Sequence, residues 1–101
     1  MRMIMHVEFP IEPFNSAVRN GSVSSIMKKI LDDAKPEAAY FGEENGKRGG
    51  ILIVDVAKPS DVPRLAEPWF LNFNADVKFR VAMTPQDLGE SNLEALGKKW
   101  G

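Results

Sequence analysis

Four residues of this chain have the chemistry for proton transfer beside a developing negative charge: His6, Glu8, Asp55 and Arg80. An imidazole with an ordinary pKa near about 6.5 exchanges protons at neutral pH, and a neighbouring carboxylate fixes its tautomer. A guanidinium holds a carboxylate or enolate through two parallel hydrogen bonds. Together they suit proton transfer at a carbon next to a carbonyl, with His6 as shuttle, Glu8 or Asp55 orienting it and Arg80 stabilising charge. The plainer reading is that these charges satisfy one another across an interface or face water, as most ion pairs do. A binding role is also open: Arg80 as anion anchor, Ile4, Ile51 and Ile53 as apolar walls, and Tyr40 beside them as ligand contact or simple packing.

Other chemistries find less support. One histidine and no cysteine argue against a zinc or non-haem iron site within one subunit, although two copies of His6 with carboxylates could meet across a dimer axis, and no metal is expected. No disulfide or thiol nucleophile exists, which fits a reducing compartment and a cytoplasmic location. Gly46 and Gly49-Gly50 fall in and after a hairpin turn and not between a strand and a helix, so they read as turn and edge glycines and not as a phosphate loop. No cofactor is expected. A net charge of −1 without a basic block gives no general attraction to nucleic acid or anionic lipid. The apolar opening Met1 to Phe9 carries Arg2, His6 and Glu8, too short and too polar for a signal peptide or membrane span.

The elements that must position these residues follow from periodicity. At 101 residues, with 44% apolar and 27% charged, a single domain is expected. Residues 3 to 9 alternate, with Met3, Met5, Val7 and Phe9 on one face and Ile4, His6 and Glu8 on the other. A small kinked helix follows around Phe14 to Val18 and breaks at Asn20-Gly21. Val23, Ile26, Met27, Ile30, Leu31 and Ala34 recur at helical spacing after Ser22, a candidate cap, and Pro36 closes that helix. Segments 37–43 and 47–57 flank Asn45-Gly46, a two-residue hairpin signal whose register sets Glu43 opposite Arg48 and Glu44 opposite Lys47. That register puts Ala39, Phe41, Leu52, Val54 and Val56 on the core face, and Tyr40, Ile51, Ile53 and Asp55 on the other.

Ser60 is placed to cap a second helix with the stripe Val62, Leu65, Ala66, Trp69, Phe70 and Phe73, in which Pro68 predicts a kink or break. Residues 76 to 83 alternate again, Val77, Phe79, Val81 and Met83 against Lys78, Arg80 and Ala82. Thr84 caps a further helix start with Pro85 at its first position, and Leu93, Leu96 and Trp100 make residues 84–101 an amphipathic helical tail.

The order βαββαβ is the split βαβ arrangement, an α+β ferredoxin-like fold with a four-stranded antiparallel sheet and its first and third strands in the middle. Helices cover one face. The other carries Ile4, His6, Glu8, Tyr40, Ile51, Ile53, Asp55, Lys78 and Arg80, more apolar than a free sheet face, so a second copy is the simplest cover. In element order and face pattern the chain resembles the dimeric α/β-barrel superfamily, whose members pair two such sheets. The stretches Lys35-Pro36-Glu37-Ala38-Ala39-Tyr40-Phe41, Glu67 to Asp76 and Lys98-Lys99-Trp100-Gly101 are similar to a group of small uncharacterised bacterial proteins of this type. The resemblance implies a homodimer that encloses a small pocket, and the superfamily includes cofactor-independent isomerases, cyclases, dehydratases and monooxygenases. Two functions follow as expectations: a homodimeric domain binding a small organic acid on the open sheet face, or a cofactor-independent enzyme using the His, carboxylate and Arg cluster.

Overall fold

The structure is a computed structural model describing residues 1–101. Alternation in the opening residues produces β1 (Arg2–Glu8), and two helices follow it, α1 (Ile11–Arg19) and α2 (Val23–Ala34). The expected kink in α1 lies at Glu12, whose extended backbone (φ −109°, ψ 145°) interrupts the helix before Pro13. The hairpin β2 (Ala38–Glu44) and β3 (Lys47–Asp55) turns through Asn45 and Gly46, both at positive φ. Then come α3 (Asp61–Phe73), β4 (Asp76–Val81), α4 (Pro85–Glu90) and α5 (Leu93–Trp100). The strands form one antiparallel sheet in the order β2-β3-β1-β4, a ferredoxin-like α+β fold with β1 and β3 central.

The core lies between the sheet and α1 to α3. Met5, Val7, Phe9, Leu52, Val54, Leu65, Trp69 and Phe73 are its fully buried side chains. Phe9 meets Phe14, Trp69 and Phe73 edge-on at centroid distances of 5.0, 5.7 and 5.2 Å, the geometry that aromatic quadrupoles favour. The indole N–H of Trp69 has no acceptor within the chain. The edge strands are covered less well: Phe41 and Val81, expected in the core, are exposed, as is Phe70 on α3.

Four local expectations give way in the structure. α3 runs unbroken through Pro68: Leu65 before it and Trp69 and Phe73 after it are all buried in the same core, and the Asn72 side chain donates to the Pro68 carbonyl at 2.8 Å. Neither Ser22 nor Ser60 caps its helix through its side chain. Asp61 does related work instead, its carboxylate accepting from the Ala57 and Lys58 amides at 3.1 and 3.2 Å. The hairpin register is as expected, Glu43 opposite Arg48 and Glu44 opposite Lys47, but the charges do not pair. Glu43 accepts from the Gly46 amide at 2.9 Å, and Arg48 lies 4.4 Å from the Phe14 ring centre. Gly49 and Gly50 are likewise not edge glycines. They sit inside β3, hydrogen-bonded between β1 and β2.

Candidate functional site

The uncovered face is read directly from the strand register. One row across the sheet runs Ala38, Ile53, Ile4, Arg80, and the next runs Tyr40, Ile51, His6, Lys78. A third runs Gly42, Gly49, Glu8, Asp76. Rows on one face are about 7 Å apart and neighbouring strands about 4.8 Å apart, so Ile4, Ile51 and Ile53 adjoin as an apolar patch with Tyr40 at one edge. Arg80 and Lys78 border that patch on β4. Neither forms an ion pair within the chain.

The third row explains a concavity of about 100 Å³ lined by His6, Glu8, Glu44, Asp76, Lys78 and Arg80. Gly42 and Gly49 leave the sheet bare beside Glu8, and Glu44 leans across the gap: a Cβ on Gly49 would fall 2.5 Å from the Glu44 Cβ. Substitution there would drive two side chains into one space, so the glycine is what lets Glu44 reach the site. Sequence reasoning took the glycine pair for turn residues and missed Glu44 and Asp76. Their signal was present in the alternation of β2 and β4, which places both on the same face as His6.

The structure therefore brings His6, Glu8 and Arg80 to one hollow and leaves Asp55 outside it. Asp55 is paired with Arg2 in the register, four residues along β1 from His6, a separation of about 13 Å. Its carboxylate lies 3.0 Å from the Met1 amino group. Arg2 itself turns to Glu37, with two bonds of 2.9 Å that raise the guanidinium pKa. His6 is half-buried and makes no side-chain hydrogen bond to either Glu8 or Asp55. The hollow holds three carboxylates against two cations and one imidazole.

A search of the solved structures finds the same architecture elsewhere. The chain is similar to 5-chloro-2-hydroxyhydroquinone dehydrochlorinase, TftG, from Burkholderia phenoliruptrix, solved in complex with 2,5-dihydroxybenzoquinone. The TM-score is 0.57 at 15% identity, covering 86% of this chain and 99% of that one. The likeness establishes the fold. No family model matches the sequence, and no curated protein matches it. At this identity no residue role passes from the dehydrochlorinase to this chain. No helix is long and apolar enough to cross a membrane.

Proposed function

We propose that this chain is a homodimeric domain that binds a small organic acid on its open sheet face. The observation that carries the reading is the juxtaposition of unpaired Arg80 and Lys78 with the Ile4, Ile51 and Ile53 patch. An acid lying across β4, β1 and β3 spans two strand spacings, about 10 Å, which suits one aromatic ring with an acidic group. Its ring would rest on the isoleucines while Arg80 receives the negative end through two hydrogen bonds. A second copy closing over the face would exclude water and strengthen that ion contact.

A second reading is favoured by one further feature, the placement of His6 beside Glu8 in the hollow next to Arg80. In it the chain is a cofactor-independent enzyme, with His6 taking a proton from a bound oxo acid and Arg80 holding the resulting enolate. That a protein of the same fold is a dehydrochlorinase captured with an acidic quinone supports a small acidic ligand under either reading.

The test is calorimetric titration of 2,5-dihydroxybenzoquinone into the full chain and into Arg80→Gln. A hydrogen bond to a charged group contributes about 1.5–3 kcal/mol, so affinity should fall roughly 10- to 150-fold in the variant. Equal affinity for both proteins would remove Arg80 from the site and the proposal with it.

A further inference from the structure

Every residue from Pro85 to Gly101 is exposed, and neither α4 nor α5 contains a buried residue. The tail stretches the molecule to 59 Å along its long axis and gives a radius of gyration of 17.0 Å, where a compact domain of this length has about 13 Å. Helices this short are not stable alone in water, yet this one is built with care. Thr84 and Asp87 form a reciprocal capping box at the start of α4, and Asn92 accepts from the Ala95 amide at the start of α5. Along them Leu88, Leu93, Leu96 and Trp100 are open to solvent, Trp100 at 77%. The apolar stripe has no partner inside its own chain.

We propose that residues 84–101 are an exchanged arm: each copy lays its tail on the other copy, and the arm completes the acid-binding site. The proposal rests on the homodimer of the preceding section and adds the residues that the partner supplies. Area is the first argument. Four strands about 23 Å long and about 4.8 Å apart offer a face of roughly 450 Å², well short of the roughly 800 Å² per partner that stable interfaces remove from water. Helices of 6 and 8 residues make a rod about 21 Å long and about 10 Å wide, roughly 200 Å² on one side. Counted once for the arm given and once for the surface receiving its counterpart, it brings each copy to roughly 850 Å².

Charge is the second argument, and it fixes the direction. The tail leaves the sheet at the end where Val81 pairs with Met3, opposite the end that holds Glu8, Glu44 and Asp76. A two-fold axis running across the strands sets the tail of one copy over the carboxylate end of the other. There Lys98 and Lys99, near the end of α5, meet three carboxylates that have no ion partner in their own chain. Without those lysines the hollow is a poor place for an acid, because three carboxylates face only Lys78 and Arg80 with His6. With them the balance becomes positive, and Trp100 covers the rim.

The experiment is sedimentation equilibrium of the full chain, Trp100→Glu and Leu71→Glu, the last altering an equally exposed leucine on the outside of α3. Because each dimer loses two apolar anchors, Trp100→Glu should raise the dimer Kd at least about 100-fold. It should fold as before, since Trp100 is exposed in the single chain, and Leu71→Glu should dimerise as the full chain does. Replacing Lys98 and Lys99 by Gln should lower the affinity for 2,5-dihydroxybenzoquinone at least about 10-fold under conditions where the dimer persists. Unchanged dimerisation of Trp100→Glu overturns the exchanged arm and leaves the dimer standing. A full chain that stays monomeric, or whose tail binds anionic vesicles while the chain remains a monomer, overturns both.

Discussion

Ile53→Lys is the sharpest perturbation of the open face. Ile53 lies in the middle of that face, opposite Ile4 on β1 and Ala38 on β2, with Ile51 two residues along its own strand. It is half-buried in the single chain, so a lysine there can send its ammonium into water and bury little of value, and the change in folding stability should stay within about 1 kcal/mol. In a face-to-face pair the same position is covered twice. Losing the burial of one isoleucine costs about 1.5–3 kcal/mol, two copies about 3–6, which raises the dimer Kd roughly 10²- to 10⁴-fold before any penalty for confining two ammonium groups. Urea denaturation of the dilute variant reports the first quantity, and sedimentation equilibrium over a concentration series reports the second. An Ile53→Lys protein that folds normally and dimerises as tightly as the unchanged chain would refute the assignment of this face as the interface.

Two further predictions address chemistry and the tail. His6→Gln should bind small acids within about 3-fold of the unchanged protein yet slow solvent-deuterium exchange at the carbon beside the carbonyl of a bound oxo acid by at least about 100-fold, read by proton NMR; exchange at an unaltered rate removes His6 from the enzymatic reading. The Asp87 carboxyl is held below its ordinary value, first by the Thr84 amide and then by the Thr84 hydroxyl. A carboxyl lowered in the folded state contributes order above its unfolded pKa and loses it as pH falls through the folded one, so α4 amide signals should stay sharp at neutral pH and broaden only in acid below the usual carboxylate range. Broadening near pH 6 would contradict the capping box as the group responsible.

Most of the architecture was legible because it rests on period and punctuation. The alternation of Met3, Met5 and Val7 against Ile4, His6 and Glu8 fixed both faces of β1, and Asn45-Gly46 fixed the hairpin register to the residue. What escaped was set by interactions that spacing does not encode. Pro68 reads as a break, yet burial of Leu65 before it and of Trp69 and Phe73 after it in one core holds α3 together across it. Phe41 and Val81 have the right parity for the core but belong to edge strands that the helices do not reach. The site was half legible for the same reason. Face membership is a matter of parity, so His6, Glu8, Asp55 and Arg80 were all assigned to one side. Position along the strands depends on register across three chain segments, and that is what separates Asp55 from His6 and brings in Glu44 and Asp76.

Native mass spectrometry of the full chain equilibrated with 2,5-dihydroxybenzoquinone tests the central claim most directly, since one spectrum reports both pairing and ligand. The account predicts a species at twice 11.2 kDa that retains the acid and loses it in Arg80→Gln. A monomer free of ligand at the concentrations where the protein is handled would contradict it.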